Sequence, residues 1–195
     1  MNTSTSRYYD IEQLPHGWVA ATCSDEGITK LSPPSFSEEL ALSSIKINRS
    51  LTIRRPTKFI LLFHELTLYF DGKIENFSSP VDLSEGPKFF HRIWDICRTI
   101  PYGETRSYSW LASESGNPKA QRSVGQAMAH NPIPFLIPCH RVVRVDGQLG
   151  GYAWGLDLKS WLLNIENKNH RLHKKPTQSV QSRNCRYLNR LGCTV

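Results

Sequence analysis

No two of the five cysteines, at positions 23, 97, 139, 185 and 193, share a CxxC spacing, and their number is odd. A disulfide framework is therefore excluded, and a reduced, intracellular setting is expected. No apolar run approaches the roughly 20 residues that cross a bilayer. The first residues, Met1-Asn-Thr-Ser-Thr-Ser-Arg7, lack the basic-then-apolar pattern of a secretory signal. Both absences point to cytoplasm or nucleus and to no membrane partner. Acidic residues are missing altogether from 168–195, which hold seven Lys and Arg. That segment accounts for the whole net charge of +7, since the rest of the chain is neutral. Within the remainder, 1–87 is net negative and 88–167 net positive. Such an asymmetry fits contact with a polyanion without requiring it.

With 195 residues the chain can bury a core without covalent support. The predicted fold is mixed α+β (α/β), with an N-terminal α/β domain over 1–86, a mainly helical domain over 87–167, and a basic, disordered tail over 168–195. Trp18–Cys23 and Ile28–Leu31 read as strands around an Asp25-Glu26-Gly27 turn. Residues 32–56, rich in Ser and containing Pro33-Pro34, read as loop. Phe59, Leu62, Phe63, Leu66 and Phe70 recur at helical spacing, and Asp71-Gly72 stops that helix. A second helix carries Phe89, Phe90, Ile93, Trp94, Ile96 and Cys97, so Cys97 reads as structural. Ser107 is the expected cap of a short helix to Glu114, and Asn117-Pro118 the expected start of another running to His130. Two short helices about a Gly-containing turn are a helix-turn-helix signal. The second is unusual in its small residues Ala120, Ser123, Gly125 and Ala127 beside the long Arg122. A last helix spans Leu156–Glu166.

The chemistry concentrates in Ile137-Pro138-Cys139-His140-Arg141-Val142-Val143-Arg144. Pro138 fixes one dihedral and removes a donor, so the approach to Cys139 is stiff. A stiffly held thiol beside an imidazole is how a nucleophile is presented and activated. On these eight residues alone, a buried structural cysteine competes with that reading.

The wider constellation decides between them. Ile100-Pro-Tyr-Gly-Glu-Thr-Arg-Ser-Tyr108, Gly116-Asn-Pro-Lys-Ala-Gln-Arg-Ser-Val-Gly125 and Asn131-Pro-Ile-Pro-Phe-Leu-Ile-Pro-Cys-His-Arg-Val-Val143 strongly resemble the O6-alkylguanine-DNA alkyltransferases, also called methylated-DNA–protein-cysteine methyltransferases. The resemblance covers roughly 57–166 and is only general over 1–56. It implies a ribonuclease H-like N-terminal domain and a winged-helix-like C-terminal one. It implies direct-reversal DNA repair, in which an alkyl group passes once and irreversibly from guanine O6, or thymine O4, to the protein's own cysteine. Cys139 is then the acceptor, His140 a base acting through water, and Glu166 the residue that orients the imidazole. Asn131 braces the cysteine segment, and Tyr108 donates to guanine N3. The partner is double-stranded DNA, entered through a minor groove about 6 Å wide, with the damaged nucleotide rotated out of the stack. Arg122 fills the gap left behind, and Phe89, Ser109, Asn117, Ala120, Ala127 and Val145 line the DNA contact. Pro134, Val142, Tyr152, Ala153 and Trp154 form the substrate pocket, with Trp154 narrowing it against bulky alkyl groups. No cofactor and no obligate protein partner are implied, and the protein is expected to be a monomer. Some family members carry a structural zinc, but Cys23 stands alone before residue 97, and His16, His64 and His91 form no ligand spacing with it. Three rival readings make different predictions. A non-reacting sensor of alkylated DNA lacks this cysteine, a helix-turn-helix regulator has no use for Cys139, His140 and Glu166, and a cysteine hydrolase has no use for Arg122.

Overall fold

The computed structural model describes residues 7–47 and 52–173, with side chains through Asn169. The first half is built on a four-stranded sheet of order β3-β2-β1-β4. Strands β1 (Tyr8–Leu14) and β2 (Gly17–Cys23) pair antiparallel from Tyr8↔Cys23 to Leu14↔Gly17. Strand β3 (Ile28–Leu31) continues the meander through the expected turn, closed by Ser24 N–H to the Gly27 carbonyl at 2.9 Å. Strand β4 (Ile53–Arg54) adds in parallel to β1.

The segment 32–56 is more ordered than its Ser and Pro content suggests. It contains helix α1 (Glu38–Ser44), whose Ser37 side chain accepts the Leu40 N–H, as well as β4. At seven residues α1 is too short for its periodicity to show. It is held by burying Ala41, Leu42 and Ile45 against Ile11 and Ala20 of the sheet. The other sheet face takes helix α2 (Ile60–Phe70). Gly72 ends α2 at φ +69, donating to the Tyr69 carbonyl at 2.9 Å.

In the second half, helix α3 (Lys88–Arg98) packs on α4 (Tyr108–Glu114) and α5 (Gln121–Ala129). Ser107 caps α4, accepting the Trp110 N–H at 3.1 Å. Asn117 does not cap α5. It begins a turn closed by Ala120 N–H to its carbonyl at 2.9 Å, and the helix starts only at Gln121. Helix α6 (Leu156–His173) runs past the expected helix end at Glu166. Its extra turn is anchored where Asn169 donates to the Tyr102 hydroxyl at 3.3 Å. The positive φ of residue 72 favours glycine, and a side chain there would also have to displace the Asn169 amide. The rest of the basic tail, with Cys185 and Cys193, lies outside the described residues.

One apolar core joins the two halves, running from Leu14, Val19, Phe59 and Leu66 to Ile93, Trp94, Ile133, Cys139 and Leu162. A backbone bond from Leu31 N–H to the Pro132 carbonyl at 2.9 Å ties β3 to the approach to Cys139. A second small sheet pairs β5 (Arg106–Ser107) in parallel with β6 (Val142–Val143). It fixes the start of α4 to the residues that follow Cys139. No described helix is long and apolar enough to cross a membrane.

Candidate active site

The approach to Cys139 is stiff for reasons visible residue by residue. Phe135 adopts φ +74 while buried, a left-handed conformation that costs an aromatic residue about 1–2 kcal/mol. Its ring is held edge-on to Phe70 at 5.2 Å. Pro138, at φ −79 and ψ 60, sits at the centre of an inverse γ-turn closed by Cys139 N–H to the Ile137 carbonyl at 2.8 Å. Proline's locked φ suits that turn. Cys139–Arg141 then form one 3₁₀ turn, all three buried.

Cys139 is buried, with 5% of the residue exposed. The Asn131 side chain donates to its sulfur at 3.0 Å and to the Ile137 carbonyl at 2.8 Å, while accepting the Ile133 N–H at 3.0 Å. Asn131 thus braces both the thiol and its backbone. Burial pushes the thiol's pKa up, and hydrogen bonding from Asn131, the charge of Lys159 and the Tyr152 hydroxyl each pull it part of the way back.

Behind the thiol lies a buried polar cluster centred on Glu166. His140 Nε2 is 2.8 Å from Glu166 Oε1. Arg141 donates to Oε1 at 2.9 Å and Oε2 at 3.0 Å, and to the Ile100 carbonyl at 2.7 Å. Gly103 N–H reaches Oε2 at 3.1 Å, and the Tyr69 hydroxyl donates to Oε1 at 2.6 Å. Burial alone would raise the Glu166 pKa, but His140 and Arg141 outweigh it and hold the carboxyl well below the usual range. Burial keeps the His140 pKa below its ordinary 6.5. Arg141 already balances the Glu166 charge, so the His140–Glu166 contact is a hydrogen bond from neutral imidazole rather than an ion pair. An ionised carboxylate only accepts, so Nε2 carries the proton. The other ring nitrogen, Nδ1, is buried and has no partner among the described residues.

Lys159 is the residue the sequence left unnoticed. Fully buried on α6, its ammonium donates to the carbonyls of Val142 at 2.5 Å, Leu149, and Gly151 at 3.4 Å. It lies 5.9 Å from the ring centroids of both Tyr108 and Tyr152. Burial lowers its pKa to about 8. Lys159 therefore pins the 149–151 loop and puts positive charge near the thiol.

A cavity of about 430 Å³ opens at Cys139, lined by Tyr108, Gly125, Met128, Ala129, Gly151, Tyr152 and Ala153. It brings Tyr108, Tyr152 and Ala153 to the thiol, and the Tyr108 hydroxyl donates to the Gly151 carbonyl at 3.2 Å. Pro134, Val142 and Trp154 do not line it. Pro134 and Val142 are buried, and Trp154 packs against the core. Gly125, Met128 and Ala129 take their places in the wall. On the helix-turn-helix, Arg122 and Asn117 are exposed, and Ser109 and Ala120 half-buried. Val145 is 87% exposed beyond β6, and Phe89 is half-buried at the start of α3. Ala127 departs from its expected place on the DNA side. It is fully buried, its carbonyl accepting the Trp94 indole N–H at 2.8 Å, because this position of α5 faces α3. Among the described residues no three His, Cys, Asp or Glu side chains gather as metal ligands, and Cys23 has no such set around it.

A buried, braced thiol thus opens on a cavity whose wall is shared by α4, α5 and the 151–153 loop. Residues 88–168 match the family described as 6-O-methylguanine DNA methyltransferase, DNA binding domain. A methylated-DNA–protein-cysteine methyltransferase of Methanosarcina barkeri is 37% identical over 164 residues, 84% of this chain and 99% of that protein. The protein of the same name from Mycolicibacterium paratuberculosis is 45% identical over 113 residues, 58% of this chain and 68% of that one. Mycobacterium tuberculosis OGT, solved in complex with DNA, superposes with a TM-score of 0.72 at 34% identity, covering 83% of this chain and 94% of that one. An O6-methylguanine-DNA methyltransferase from Pyrococcus kodakaraensis shares the fold, with a TM-score of 0.61 at 22% identity. The chain belongs to the methylated-DNA–protein-cysteine methyltransferase family.

Proposed function

We propose that this protein repairs alkylated DNA by moving an alkyl group from guanine O6 to Cys139, once per molecule. The carrying observation is a buried, Asn131-braced thiol that opens on a cavity large enough for a base, next in sequence to a buried His140 whose Nδ1 has no partner among the described residues. The Cys139 proton passes to Nδ1 through one water. The thiolate attacks the alkyl carbon, a C–S bond forms, and the C–O6 bond breaks with its electrons going to guanine. Glu166 holds the imidazolium that results. The Tyr108 hydroxyl leaves the Gly151 carbonyl and donates to guanine N3, offsetting the developing charge. Because the product is a stable thioether, nothing returns the sulfur to its starting state.

A stacked base cannot reach this thiol, so the nucleotide is rotated into the cavity, at a cost of a few kcal/mol. Arg122, on the exposed side of α5, fills the space it leaves. The small residues Ala120 and Ser123 let α5 approach a minor groove, and Ser109, Asn117, Phe89 and Val145 add contacts around it. In this reading the two halves correspond to a ribonuclease H-like and a winged-helix-like domain, and the protein acts as a monomer inside the cell, without cofactor. Incubation with duplex DNA bearing radiolabelled O6-methylguanine tests it. One label per protein molecule is expected on wild type and none on Cys139→Ser. Turnover beyond one equivalent, or transfer to Cys139→Ser, refutes it.

A further inference from the structure

We propose that Tyr69 is a positioning residue for this reaction: its hydroxyl fixes the proton of His140 on Nε2 and so leaves Nδ1 to act on the thiol. The proposal rests on the reading of Cys139 and His140 given above. Tyr69 lies on α2, in the half of the chain that otherwise contributes no reacting group, and is fully buried. Its oxygen is 2.6 Å from Glu166 Oε1 and 3.2 Å from His140 Nε2.

The roles follow from counting protons. Glu166 is charge-balanced by Arg141 and can only accept, so the short contact must carry the tyrosine's hydrogen. The hydroxyl then has only lone pairs to turn towards Nε2. A hydrogen on Nε2 satisfies both the hydroxyl oxygen and Oε1, at 2.8 Å. The opposite tautomer would set the Nε2 lone pair against two acceptors at once. Tyr69 thus adds a second penalty against the tautomer in which Nδ1 is occupied and cannot take the thiol proton.

Packing does not explain the hydroxyl. The ring of Tyr69 lies among Phe70, Phe77, Tyr102 and Phe135 at centroid distances of 5.1–6.3 Å. A phenylalanine would fill that space equally well and would spare the cost of burying a polar group. The part of Tyr69 that the core does not need is the part that touches His140 and Glu166.

The test uses full-length protein and three readouts: single-turnover transfer from O6-methylguanine duplex as a function of pH, DNA affinity, and the imidazole ¹⁵N shifts of His140. In wild type the shifts should report the Nε2–H tautomer, and Tyr69→Phe should mix in the other. The transfer rate should fall about tenfold, the scale of one hydrogen bond to a charged group, with a displaced acid limb and unchanged affinity. Phe77→Leu disturbs the same packing and keeps the hydroxyl, so it should lower Tm and leave the pH profile alone. The proposal is overturned by an Nδ1–H tautomer in wild type, a reading that needs no variant to fold. It is equally overturned by wild-type rate and tautomer in Tyr69→Phe, or by Phe77→Leu reproducing the Tyr69→Phe profile. Failure of wild type to accept a methyl group would instead strike the proposed function, while the ¹⁵N shifts would still judge Tyr69.

Discussion

Replacing Asn131 by Ala separates the chemical from the structural work of the cysteine segment. Two of its contacts carry the effect. The Ile133 N–H, bonded among the described residues to Asn131 Oδ1 at 3.0 Å, becomes an unpaired buried donor. The Cys139 sulfur loses its Asn131 donor at 3.0 Å and keeps the Tyr152 hydroxyl. The Ile137 carbonyl is less affected, because it still accepts the Cys139 N–H. One orphaned N–H costs about 1–3 kcal/mol of folding stability. Loss of a hydrogen bond to a charged acceptor costs the thiolate about 1.5–3 kcal/mol, or about 10- to 100-fold in its population at a given pH. Folding stability is read from urea unfolding. Thiolate population is read from the pH dependence of Cys139 alkylation by iodoacetamide, at a temperature where Asn131→Ala is fully folded. A destabilised but folded Asn131→Ala whose Cys139 reacts with the wild-type pH dependence would refute the assigned contact with sulfur.

Further outcomes follow from the same cluster. Burial keeps His140 neutral, so the transfer rate should be insensitive to pH near 7 and fall on the acid side as the imidazole takes a proton below its ordinary 6.5. Stability should fall in the same direction. The folded-state values of His140 and Glu166 both lie below their ordinary ones, so their contributions are present above 6.5 and 4.5 and are lost as pH drops through the folded values; an acid-stable protein refutes this. Lys159→Met should remove a donor from the Val142 and Leu149 carbonyls, while Gly151 keeps the Tyr108 hydroxyl, slow transfer about tenfold or more, and raise the proteolytic sensitivity of residues 149–151; wild-type kinetics would rule out the clamp. Arg122→Ala should slow repair of duplex DNA while leaving reaction with free O6-methylguanine base unchanged, and equal loss on both substrates would remove Arg122 from base rotation. Trp154 stands outside the cavity wall, so Trp154→Gly should leave the preference between O6-benzylguanine and O6-methylguanine unchanged in a competition assay; a raised ratio for O6-benzylguanine refutes this.

The legible parts of the fold were those with long, regular patterning. The β2–β3 hairpin and helices α2, α3 and α6 each carry enough apolar residues in register to show their type. Strand β1 escaped because Tyr8–Leu14 buries residues in pairs rather than alternately, and α1 because it is only seven residues long. The start of α5 was misplaced because Asn117-Pro118 serves equally well to open a turn. At the site, Pro138-Cys139-His140-Arg141 is a local signal and was readable. Tyr69 was not, since it meets Glu166 from 97 residues away. Its only trace is a hydroxyl-bearing ring three residues from Leu66 on a buried helical face, a position that demands a partner. Lys159 left a similar trace, a lysine one residue from Leu158 and two from Trp161, both buried.

The two-residue pairing of β5 with β6 has a consequence for how such a protein can change. Arg106↔Val142 and Ser107↔Val143 splice the root of α4 directly to the strand that leaves the cysteine. The spacing between sulfur and helix pair is thereby set by main chain alone. Exposed side chains on α4 and α5 can be exchanged to retune grip on the double helix while the reacting atom keeps its address, whereas an insertion between Glu104 and Tyr108 would misalign reagent and target together.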